Sequence, residues 1–85
     1  MDIRRLCYEA ILEVEDAKAL DYESVSDQME IYGGGFGLDS LGLTELINVL
    51  EEKFGIQLSM EELMEAEAFE NFGALWKFIA NKVNQ

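Results

Sequence analysis

Tyr32-Gly33-Gly34-Gly35-Phe36-Gly37-Leu38-Asp39-Ser40-Leu41-Gly42-Leu43-Thr44-Glu45-Leu46-Ile47-Asn48-Val49-Leu50-Glu51-Glu52-Lys53-Phe54-Gly55 changes character half-way along. Its first part is rich in glycine, which admits backbone angles that other residues avoid, and reads as loop. Its second part places Leu43, Leu46, Ile47, Leu50 and Phe54 three and four residues apart, with Leu41 and Val49 alongside. That is a broad apolar stripe on one helix over about residues 40–54, which Gly55 is suited to end in the left-handed conformation. The chain therefore turns abruptly from loop into amphipathic helix at Asp39-Ser40.

Upstream, the periodicity fades from Asp16 to Asp39, and the seven side chains Leu20, Tyr22, Val25, Met29, Ile31, Tyr32 and Phe36 are expected to tuck this long loop against helices. A loop above about 15 residues in a small domain is uncommon and tends to be functional or ordered by its own side chains. Before it, Ile3, Leu6, Cys7, Ala10, Ile11 and Val14 share one helical face over roughly residues 3–16, with Asp2 as N-cap. Downstream, Ser59-Met60-Glu61-Glu62 has the form of a capping box and opens a short third helix with Leu63 and Met64. Asn71 then caps a fourth pattern, Phe72, Leu75, Trp76, Ile79 and Val83, with Lys77 and Lys82 toward the negative end of the helix dipole. The expected architecture is all-α: four helices around one core, a long loop between helices one and two, and a short third helix, with residues 1–85 as a single domain.

Length and composition agree with that. The chain has 85 residues, 49% of them hydrophobic, with no Pro, no His and one Cys. It is just long enough to close one core without disulfides or metal, and the cysteine usage points to a reducing, cytoplasmic setting. No apolar run approaches the roughly 20 residues needed to cross a bilayer, and Met1-Asp2-Ile3-Arg4-Arg5 opens an amphipathic pattern and not a signal-peptide core. Eighteen acidic against six basic residues give a net charge of −12. That charge repels nucleic acid and anionic membrane and favours basic proteins as partners. It is unevenly spread: residues 39–70 hold Lys53 as their only cation among many acids, whereas residues 71–85 hold Lys77 and Lys82 and no acid. A solvated surface and a docking surface both account for this pattern.

Most enzyme chemistry lacks its residues here. There is no His, Cys7 falls on a predicted core face, and no glycine-rich run has a phosphate-cradling spacing. Without His and with one thiol no zinc set can be assembled, and the acids lack the order of a calcium loop. No metal site is expected. What remains is Gly37-Leu38-Asp39-Ser40-Leu41, where the loop enters helix two. Asp or Ser ahead of an apolar run is first of all an N-cap signature. A hydroxyl placed there is also exposed beside free backbone N–H groups, and a phosphodiester attached to it would meet the positive end of the dipole.

Leu38-Asp39-Ser40-Leu41, followed by Glu45-Leu46 and by Leu50-Glu51-Glu52-Lys53-Phe54-Gly55-Ile56, resembles the signature of acyl carrier proteins. The resemblance runs over most of the chain, from helix one through the long loop to a last helix introduced by Phe69 and Asn71-Phe72. It implies a free-standing, monomeric carrier with no catalytic residue of its own, to which a phosphopantetheinyl transferase adds 4′-phosphopantetheine from coenzyme A with Mg²⁺. By the same resemblance Ser40 takes the arm and Asp39 and Leu41 are read by the transferase. Glu45, Glu51 and Glu52 lie on or beside the face that docks basic patches of acyl-transferring and acyl-modifying enzymes. Two departures stand out. Gly42 replaces a polar or acidic residue common in fatty-acid carriers and is expected to loosen the first turn. Gly37-Leu38 looks more like polyketide or other specialised carriers than the housekeeping fatty-acid carrier.

The resemblance also implies a shelter for cargo, with Leu46, Met60, Leu63, Met64, Phe69 and Trp76 as its candidate lining; ordinary core packing is the competing role for each. The expected function is an acyl carrier of fatty-acid or polyketide-type biosynthesis that holds intermediates as thioesters. Two alternatives stay open at this point: an aminoacyl, peptidyl or D-alanyl carrier, and an arm-free acidic helical module that binds a basic protein.

Overall fold

A computed structural model describes residues 1–84. Among these residues four α-helices run α1 Ile3–Leu12, α2 Ser40–Phe54, α3 Met60–Glu65 and α4 Phe72–Val83, with one turn of 3₁₀ helix at Tyr22–Ser24 in the long loop. Among the described residues the only bridge of strand type joins Tyr32 to Leu38. The all-α architecture read from the sequence is therefore the one observed.

The core is built by the apolar stripes meeting face to face: Cys7, Ala10 and Ile11 of α1, Leu46 and Leu50 of α2, Leu63 of α3, and Phe72, Leu75 and Ile79 of α4 are all fully buried. Helix α1 packs against both α2 and α4. Side-chain caps define each helix start. Oxygens of Asp2, Asp39, Ser59 and Asn71 accept from the backbone N–H groups of Arg5, Gly42, Glu62 and Ala74. At the other end of α2, Gly55 takes φ 64°, and the N–H groups of Gly55 and Ile56 both donate to the Glu51 carbonyl. A Cβ is costly in that conformation, which is why Gly stands there.

Helix α1 ends at Leu12, four residues short of the span 3–16 expected from its apolar spacing. The Glu13 N–H is shared between the carbonyls of Glu9 and Ala10, and Val14 and Ala17 donate to residues three back, so the chain tightens into turns. No basic residue lies in the last turn, and Glu13, Glu15 and Asp16 crowd the negative end of the dipole, which disfavours extension. Val14 still reaches the core, 2% exposed, from a turn instead of a helix.

The long loop is firmly tied. Val25, Ile31, Phe36 and Leu38 are buried, and Phe36 packs obliquely on Phe72 with ring centroids 5.9 Å apart. Tyr32, expected to tuck inward, is instead 52% exposed. Asp27 is the polar anchor: its Oδ1 accepts from Arg4 Nε and from Trp76 Nε1, each at 3.0 Å. The Arg4 guanidinium also donates to the Val25 carbonyl and stacks on the rings of Tyr22 and Phe72. Two backbone bonds of 2.8 Å, Phe72 N–H to Met29 O and Gly73 N–H to Asp27 O, close the loop onto the start of α4. A Cβ on Gly73 would lie 2.8 Å from the Asp27 Cβ, so this approach needs glycine.

Candidate functional site

Ser40 is the first residue of α2 and is exposed. Asp39 performs the capping, its Oδ1 accepting from Gly42 N–H at 2.8 Å. With the cap supplied by its neighbour, the Ser40 hydroxyl is left available at the positive end of a 15-residue helix. Leu41 beside it is 75% exposed, far beyond what a core residue would show. Gly42 is buried, and a Cβ there would come within 3.3 Å of Leu38 Cβ and Cδ2. The expected loosening of the first turn is thus opposed by a close helix-to-loop fit and by the Asp39 cap.

Beside Ser40 opens a cleft of about 660 Å³. One side is α2, through Ser40 and Leu43; facing it are Met60, Leu63 and Met64 of α3; the linker residues Glu67, Phe69 and Glu70 and the loop residue Tyr32 complete it. Its apolar surface comes from Leu, Met and Phe side chains, and its carboxylates from the linker. Met60, Leu63, Met64 and Phe69 are brought together as one lining. Leu46 and Trp76 do not join them. Leu46 points into the core with no exposed surface, and Trp76 lies on α4 with its indole N–H on Asp27. Leu46, which the resemblance offered as lining, belongs to the core, and Trp76 is committed to the loop.

Spacing alone did not single out Tyr32, Leu43, Glu67 or Glu70 as lining. Leu43 looks like any other position of the α2 stripe, and the other three sit in loops, where no periodicity reports which way a side chain faces. Glu67 carries a further signal visible only in the backbone, φ 53°, the only positive φ outside glycine among the described residues. It closes α3: its N–H donates to Met64 O and the next, Ala68 N–H, to Leu63 O.

The three glutamates expected on the α2 surface differ. Glu45 and Glu52 are exposed, and neither enters an ion pair among the described residues. Glu51 is half-buried, and its Oε2 accepts from the Leu58 N–H at 2.9 Å, fastening the segment after α2. Cys7 is fully buried, and burial pushes its thiol up to about 12, so it stays protonated and unreactive near neutral pH. The described residues hold no cluster of three or more His, Cys, Asp or Glu arranged to bind a metal ion, and no helix long and apolar enough to cross a membrane.

This geometry suits a phosphate-linked arm: an uncommitted hydroxyl, exposed, at a helix N-terminus, with an apolar cleft beside it. Compared with known proteins, the chain matches the family model described as phosphopantetheine attachment site over residues 9–75. No solved structure matches it. The matched span covers most of the chain, including all of α2, α3, the long loop and the cleft, and the protein accordingly belongs to the phosphopantetheine attachment site family, as an acyl-carrier-type protein whose cofactor is covalently attached 4′-phosphopantetheine.

Proposed function

We propose that Ser40 is the attachment point of the arm and that the protein carries acyl groups as thioesters on the arm's terminal thiol, passing them between enzymes of fatty-acid or polyketide-type biosynthesis. The observation that carries this reading is the position of Ser40: exposed, relieved of capping by Asp39, and on the rim of an apolar cleft. The arm's phosphodiester would lie at the dipole's positive end, where anions are favoured by about 0.3–1 kcal/mol. The apolar walls of Met60, Leu63, Met64 and Phe69 then offer a carried chain a place out of water, which both stabilises the loaded state and slows hydrolysis.

Asp39 and Leu41 flank Ser40 and are read by the phosphopantetheinyl transferase. Around them Glu45 and Glu52 on α2 and the exposed Leu41 and Met64 form an acidic surface with apolar points of contact. Such a surface suits basic docking patches: opposite charge speeds encounter, and a small interface lets the carrier leave for its next enzyme. Glu51 contributes charge there while its carboxylate is engaged by Leu58.

The test is the intact mass after incubation with coenzyme A, Mg²⁺ and a broad-specificity phosphopantetheinyl transferase. One phosphopantetheinyl group is expected on the unmodified chain and none on Ser40→Ala. Loss of the mass gain only in some other serine variant would move the attachment point. Loading of the arm by aminoacyl but not acyl ligases would change the cargo.

A further inference from the structure

The cleft has walls of very unequal rigidity. Leu43 and Ser40 belong to the 15-residue α2, and Tyr32, Phe69 and Glu70 flank the segments that the Phe72 to Met29 and Gly73 to Asp27 backbone bonds join. The facing wall is α3, six residues long, well below the ~12–15 residues at which a helix holds itself. It buries only Leu63, while Met60 and Met64 are 36% and 59% exposed. It also ends in the unfavourable left-handed backbone of Glu67.

What holds α3 in place is on its opposite side. At 100° per residue, Glu62 lies across the helix from Met60 and Met64. Its carboxylate accepts from the Ser59 N–H at 2.9 Å, completing the capping box, and is paired with the Lys82 ammonium in the last turn of α4. The two side chains are only 32% and 27% exposed. The Lys82 ammonium thereby ties α3 to α4 on the side away from Met60 and Met64.

We infer that Lys82, remote from Ser40, is a positioning residue of the cleft: through Glu62 it fixes α3 as the adjustable wall and governs how closely that wall shuts on a carried chain. This rests on the carrier reading above. The variant that tests it in the full-length protein is Lys82→Met, which removes the ammonium and leaves the Ser59 and Glu62 cap in place; Lys82→Arg keeps the charge.

On the arm-loaded protein, the release of an octanoyl group to hydroxylamine is measured beside that of an acetyl group, which has almost no alkyl chain to bury. Octanoyl release is expected to speed by about twofold to fivefold in Lys82→Met, the range that a partly exposed ion pair supports, and to return to the original rate in Lys82→Arg. Acetyl release stays constant throughout. Unchanged octanoyl release in Lys82→Met overturns the inference, and so does an equal acceleration of both groups, which marks general loosening. Amide hydrogen exchange of residues 60–66 in the unmodified chain needs no arm. It is expected to quicken in Lys82→Met by a similar factor, and unaltered exchange overturns the inference even if Ser40 takes no arm. Failure of Ser40 to gain mass counts against the carrier reading alone.

Discussion

The long loop and α3 both connect core helices, and they are held in opposite ways. The loop has a single three-residue turn of helix, yet it sinks Val25, Ile31, Phe36 and Leu38 into the core and is bonded through Asp27 to residues of α1 and α4. Helix α3 has regular backbone bonding and a complete capping box, yet it commits only Leu63. Regular structure satisfies a segment's own backbone groups, whereas anchoring depends on how much apolar surface and how many long-range bonds it shares with the rest. The irregular segment is therefore the firmly anchored side of the cleft and the regular one the lightly anchored side.

Truncation tests this contrast most severely. Phe36→Ala is expected to cost about 3–5 kcal/mol, because a fully buried ring packed on Phe72 leaves a cavity that the core cannot refill. The urea midpoint of unfolding measures it. A cost below 1 kcal/mol would mean that the loop is draped on the core and not built into it.

Asp27 offers a finer probe. Its carboxyl is held below the usual range chiefly by the Trp76 indole N–H, with Arg4 adding hydrogen bonding and charge against the opposing effect of partial burial. Because its folded pKa lies below the unfolded value of about 3.9, the stabilisation is fully present at neutral pH and fades as pH falls through that value toward the folded one. Asp27→Asn is expected to cost about 1–2 kcal/mol at pH 7, discounted for a side chain 36% exposed. The gap between variant and parent should narrow on acidification below the ordinary carboxylate range, as Asp27 itself becomes protonated. A gap that persists unchanged in acid would place the anchor elsewhere.

The smallest expected effect has the opposite sign. Glu67→Gly relieves the left-handed strain at the end of α3 and should stabilise the protein by up to about 1 kcal/mol, offset in part by the entropy of a glycine in the unfolded chain. The melting temperature reads it. A decrease would show that the Glu67 side chain holds the linker in a way its backbone angle conceals.

Much of this could be read from the residues in order. The stripe from Leu43 to Phe54, the glycine that ends it, the capping box at Ser59 and the cap at Asn71 each involve groups within about four positions of one another, and all appear as expected. The place where α1 stops was not legible. Apolar spacing continues to Val14 and the side chain does reach the core, but the backbone arrives there by turns. Nor was the role of Trp76: its helical spacing fits a core position, while its N–H is committed to Asp27, 49 residues away.

Sequence by itself determined the all-helical class, the helix starts and the family to which the chain belongs, because periodicity, capping and the motif around Asp39-Ser40-Leu41 are local. Only the tertiary structure decided which apolar side chains line a cleft and which fill the core, that Glu51 fastens Leu58 while Glu45 and Glu52 enter no ion pair among the described residues, and that Lys82 reaches Glu62. Those outcomes depend on the distance and rotation between elements far apart in the chain, which no spacing of residues within a single element encodes.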